Sequence, residues 1–260
     1  MSAEQAKGIA DNTTVASISI HDSAAAVVEK LADLASSNSK IASITISDAA
    51  DDPVAQIAYT NYTKAANQAV LAKLGDSVYF EVSDVSVANL ASTVANANVL
   101  DVKVLDTIAH LQAALDDLQA NALSIASISA SDSASASLTI STTQLINDAS
   151  ALAKLDSSVT WNVTGMSDGE SIALNLYNYT QLAPALIARY PSIHFEVTLD
   201  APILENYQAA FAAIREVDTV TIPKARAGSA ITLGIDDYTN ASNAGYVHAV
   251  ESAKYAVRVL

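Results

Sequence analysis

A chain of 260 residues is long enough for one large domain or an elongated stack of small ones. Hydrophobic residues make up 51% but aromatics only 5%, so a core must be built from small side chains in thin layers, and the lack of any Cys excludes disulfides, thiolate metal sites and a Cys nucleophile. With 28 acidic against 13 basic residues the formal charge is −15, which repels nucleic-acid phosphates and anionic lipid surfaces.

From the N-terminus, Met1-Ser2-Ala3-Glu4-Gln5 has no basic region followed by an apolar run, so no cleavable secretory signal is expected there. The longest apolar stretches, such as Ala209 to Ile214, fall far short of the roughly 18 residues of a membrane-spanning helix, so no membrane insertion is expected. The strongest signal is an internal repeat. Residues 2–48 match residues 86–132 without a gap, at an offset of 84 from Ser2 and Ser86 to Asp48 and Asp132. Within each copy, Leu and Val recur at helical spacing, as in Val28, Leu31, Leu34 and in Ile108, Leu111, Leu115, Leu118.

A second module recurs four times, at 54–86, 136–167, 171–202 and 229–260. Each copy has an apolar strand, a helical stretch and a second strand (VYFEV, VTWNV, IHFEV, KYAVRV). Three copies carry an Asn/Asp-Tyr-Thr signature at Asn61-Tyr62-Thr63, Asn178-Tyr179-Thr180 and Asp237-Tyr238-Thr239, which the second copy replaces by Ser141-Thr142-Thr143. The closing strands align Phe80, Trp161, Phe195 and Tyr255, which are expected to form a core column. Alternation of strand and helix predicts parallel pairing through right-handed crossovers. The fold class expected is α/β: a repetitive, solenoid-like stack of short, mostly parallel strands with crossover helices, forming one continuous array over 1–260.

The links entering each module (48–53, 132–135, 165–170, 223–228) are too short for a helix and demand either an antiparallel hairpin or a corner into another sheet layer. After Gly165 the array becomes irregular, as capping units do, and its stop on an apolar strand equally suits a fragment of a longer array.

Asp22-Ser23, Asp84, Asp106-Thr107 and Thr142-Thr143 stand at strand ends, where their oxygens suit helix N-caps. This use accounts for much of the acidic excess. The adjacent His21-Asp22-Ser23 offers triad chemistry by composition, but neighbours on a strand face opposite ways. His21, His110, His194 and His248 lack ligand spacing, and no nucleotide, hydrolase or zinc-protease motif occurs. Asp48, Asp51 and Asp52 form a three-carboxylate loop of calcium-ligand type, with Asp236-Asp237 a smaller cluster, but a solvated turn is the better reading of both. The ten Tyr residues suit either carbohydrate stacking or closure of the modules over the first helical turn, and the second is favoured. Asn-x-Ser/Thr sequons at Asn12, Asn61, Asn162, Asn178 and Asn240 need no functional reading in so Ser/Thr-rich a chain. No catalytic, cofactor or metal residue is assigned.

The segments Ser-Ile-Ser-Ile-His-Asp, Ile-Thr-Ile-Ser-Asp and Ala-Leu-Ala-Lys-Leu resemble the Ala/Ser/Thr/Asp-rich strand–helix repeats of large secreted surface proteins of Gram-negative bacteria. The resemblance covers nearly the whole chain. It implies glycine-rich calcium repeats and one-step export nearby, although the nonapeptide G-G-x-G-x-D is absent here and only 7 Gly occur. It also implies an extracellular or cell-surface location. The expected function is a non-catalytic structural or adhesive module whose partners are other surface proteins, neighbouring repeats or cell-surface glycans. The alternative is a carbohydrate- or haem-binding module using strand-end Tyr and His residues.

Overall fold

Every strand pairing among the described residues is parallel. The computed structural model describes residues 1–132, 137–157, 159–167, 169–190, 192–198, 217–221, 230–233 and 256–259. They form mixed α/β structure in which small sheets of two to four strands alternate with short helices.

The first repeat copy holds α1 (Ala3–Ala10), β1 (Ile18–Asp22), α2 (Ala24–Glu29), α3 (Leu31–Ser36) and β2 (Ile41–Ile46). The first module follows with β3 (Val54–Ala58), α4 (Tyr59–Tyr62), α5 (Ala65–Leu71) and β4 (Tyr79–Val85). The second copy holds α6 (Val87–Val94), β5 (Val99–Asp106), α7 (Ile108–Ala113), α8 (Leu115–Ala120) and β6 (Ile125–Ala130). Four of the five elements keep both bounds under the 84-residue offset: α1 with α6, α2 with α7, α3 with α8, and β2 with β6. Only the first strand differs, since β5 begins three residues before the counterpart of Ile18.

The same physical pattern sets these bounds twice. In α2–α3 the buried stripe is Ala24, Val27, Leu31 and Leu34, and in α7–α8 it is Ile108, Leu111, Leu115 and Leu118. Spacings of three and four residues keep one face apolar across the break at Lys30 and at Ala114. Val27, rather than Val28, belongs to this stripe: Val27 is fully buried and Val28 half-buried, although both stand at helical spacing from Ala24 and Leu31.

The remaining elements are β7 (Leu138–Ile140), α9 (Thr142–Asn147), α10 (Ala149–Leu152), β8 (Trp161–Val163), β9 (Ser171–Asn175), α11 (Leu176–Arg189), β10 (His194–Thr198), β11 (Val217–Thr221), β12 (Ala230–Leu233) and β13 (Ala256–Val259). The sheets follow chain order: β1-β2, β3-β4-β5-β6, β7-β8, β9-β10-β11 and β12-β13. At the first three short links the chain leaves one sheet and enters another, so β2 and β3, β6 and β7, and β8 and β9 are not paired, while the link 223–228 lies outside the described residues. The hairpin alternative is therefore corrected. A seven-residue link cannot return a parallel strand to the same edge, and the next strand starts a new sheet instead. After the first two such links, the incoming strand lies against a repeat helix: β3 against α2, and β7 against α7.

The chain forms two compact units, Met1–Ile140 with Lys154–Asn162, and Ser141–Ala153 with Val163–Leu260. The first holds both repeat copies and the first module. In the second, α11 crosses over from β9 to β10, and β11 pairs on the outer side of β10.

Candidate functional site

The carboxylates at strand ends are the most chemically loaded groups, and the structure shows how each is used. Asp22 Oδ2 accepts from the Ala3 amide at 2.9 Å and its Oδ1 from the Ser23 amide at 2.9 Å. Ser23 Oγ then accepts from Ala26, and Asp48 Oδ1 accepts from Ala24 at 3.0 Å. The second copy repeats all four bonds. Asp106 takes the amides of Val87 and Thr107, Thr107 Oγ1 that of His110, and Asp132 that of Ile108 at 2.8 Å. These oxygens fill the unpaired donors at the starts of two helices per copy, where the helix dipole also favours negative charge.

The expected caps are thus present at Asp22-Ser23 and Asp106-Thr107, with two corrections. Asp84 caps no helix: its φ of 57° places it in a bulge of β4, and Ser86 stands at the cap position of α6. In the second module Ser141, not Thr142 or Thr143, is the cap, and its capping box with Gln144 explains why the polar run begins there.

His21-Asp22-Ser23 forms no relay, because Asp22 and Ser23 are engaged with backbone amides while His21 is exposed. The second copy adds one ionisable contact, between His110 Nδ1 and Asp106 Oδ1 at 2.7 Å. Burial pushes the Asp106 carboxyl up. The His110 bond and the Thr107 and Val87 amides outweigh that push and hold it below its ordinary value. Asp22 has no such partner, since Ala26 occupies the place of His110.

In the loop after β2, Asp48 is committed to α2, and Asp52 adopts a left-handed turn at φ 47°. Among the described residues no three His, Asp or Glu side chains gather where they could hold a metal ion. Asp236, Asp237, His248, Tyr238 and Asn240 lie outside the described residues. For His194 the backbone is described, paired with Ser171.

The aromatic residues divide differently from a carbohydrate surface. Phe80, Trp161 and Phe195 are buried as expected, while Tyr255 lies outside the described residues. The signature Tyr62 is buried against Phe80 with ring centroids 5.9 Å apart, and Tyr179 meets Phe195 edge-on at 5.1 Å and 88°. Burial raises the Tyr62 pKa. These rings close the module core.

Two buried groups escaped the sequence reading. Asn67 and Asp148 occupy equivalent places in the first two modules and are almost fully buried. Asn67 Nδ2 donates to the Asn61 carbonyl at 2.9 Å, which ties the Asn-Tyr-Thr turn to α5. A polar residue inside an otherwise apolar helical stripe was the available signal. Asn178 serves a similar end, donating to the Ile146 carbonyl at 2.8 Å.

No family model, no curated protein and no solved structure matches the chain.

Proposed function

We propose that this chain is a non-catalytic structural or adhesive array of an extracellular or cell-surface assembly, with its strand–helix units stacked as a solenoid. The reading is supported above all by the strand-end carboxylates. In both copies they are engaged with helix amides at matching distances, so these four carboxylates serve the frame. Parallel strands in chain order, helical crossovers and shared bounds are what a stack of like units requires. The sequence style of secreted Gram-negative surface repeats supports the location, and partners would be other surface proteins, neighbouring repeats or cell-surface glycans.

Small-angle scattering tests this. About a dozen strands at roughly 4.8 Å spacing make a body on the order of 60 Å long. An elongated particle is expected, and a compact sphere would overturn the solenoid.

A further inference from the structure

β3 and β7 both enter a module beside a repeat helix, and their outer edges are treated differently. In the second module the Leu138 amide donates to the Thr160 carbonyl, so Thr139, one residue on, turns its amide the other way. There Gln112 Oε1 of α7 accepts it at 2.9 Å. In the first module the Tyr79 amide donates to the Pro53 carbonyl and Ala55 pairs with Phe80, which turns Val54, Gln56 and Ala58 away from β4. Gln56 holds the place of Thr139, because Ala55 stands beside Phe80 as Leu138 stands beside Trp161, next to Thr160. The counterpart of Gln112 under the 84-residue offset is Val28, whose side chain has no acceptor. The carbonyls of Val54 and Gln56 and the amides of Gln56 and Ala58 have no partner among the described residues.

This edge faces an open groove of about 1000 Å³, lined by Ala25, Val28 and Glu29 of α2 and by the residues of β3. Val28 is half-buried and Val54 is 48% exposed, so apolar surface lies beside the unpaired backbone. Among the described residues that line the groove, Glu29 is the one charged side chain. Lys30 reaches Glu29 at 3.4 Å but makes its closer pair with Glu4 at 2.5 Å. Asp51 and Asp52 stand just before the strand, exposed and without an ion pair among the described residues.

We propose that the groove between α2 and β3 binds an extended, basic peptide segment of another protein, which adds to the free edge of β3 as a further strand. Its backbone fills the donors and acceptors of Val54, Gln56 and Ala58, as Gln112 fills the donor of Thr139. Its apolar side chains cover Val28 and Val54, and its Lys or Arg side chains meet Glu29, Asp51 and Asp52. The inference goes beyond the array reading, because the groove is complete within one compact unit and needs no stacking.

The test uses the full chain and a fluorescent synthetic peptide of alternating Lys and Val, about seven residues long so as to span β3. Val28→Gln supplies the acceptor that Gln112 gives to Thr139, and it is expected to weaken binding roughly tenfold or more. The same peptide methylated at every backbone amide keeps its charge and loses its pairing, and it should bind as weakly to the native chain. A peptide of alternating Glu and Val should bind more weakly still. Exchange mass spectrometry should show the Gln56 and Ala58 amides protected by the unmodified Lys-Val peptide alone. Should Val28→Gln fail to fold, the methylated peptide and the exchange measurement carry the test on the native chain. Absence of binding, equal binding of the methylated or the acidic peptide, or unchanged exchange at Gln56 overturns the site. A compact sphere in scattering would sink the array and leave this site standing.

Discussion

Copies 2–48 and 86–132 are the same frame in two settings: among the described residues β5 pairs with strands on both sides, and β1 with β2 alone. Their helices, caps and second strands coincide. Their first strands do not: β5 starts at Val99, and its counterpart begins only at Ile18. Helix bounds are set locally, by a cap and an apolar stripe, and survive any change of neighbour. Strand bounds are set by the partner that receives the backbone bonds.

The largest effect expected concerns what both settings share with the modules, a filled core. Phe195→Ala and Phe80→Ala should each lower unfolding free energy by about 3–5 kcal/mol, since each removes a buried ring that a Tyr packs on. Denaturant melts check this, and a loss below about 1 kcal/mol at either site would show that its module is closed by something else.

Smaller is the contrast between the two strand-end carboxylates. Asp106→Ala and Asp22→Ala should each cost about 1–2 kcal/mol at pH 7, with Asp106 the costlier because it also holds His110. A carboxyl held below its ordinary value of 3.8 adds stability that is complete above that value and is lost as pH falls through the lower folded value. The gap between the native chain and Asp106→Ala should therefore narrow in melts below pH 4. A gap unchanged down to pH 2 would mean that the native carboxylate does not titrate there.

The smallest effect separates the edges directly. The Ser17 amide should exchange roughly tenfold or more faster than that of Asp101, its counterpart in the paired β5, as unpaired backbone does. Equal protection at the two sites, read by exchange mass spectrometry, would mean that β1's lead-in is held by something other than a neighbouring strand.

Much of this was legible from residues alone. Repeat offset, parallel alternation, the burial of Phe80, Trp161 and Phe195 and the caps at Ser23 and Thr107 follow from spacing, because burial and first-turn amides select residue types locally. Less so were the choices among local options. Val27 rather than Val28 enters the core, and Ser141 rather than Thr142 becomes the cap, by one-residue differences in phase that neighbouring elements decide. Asp84 reads as a cap and stands in a bulge, since β4 must accommodate β5.

What the sequence by itself determined is the inventory: which stretches are helix, which are strand, and that carboxylates stand where helices begin. Only the tertiary structure decided that the first three short links change sheets, that Tyr62 packs tilted against Phe80 and Tyr179 edge-on to Phe195, and that β1 begins only at Ile18. Those outcomes depend on which backbone lies alongside which, and hydrogen bonds between strands far apart in the chain leave no mark on the spacing of residues within either one.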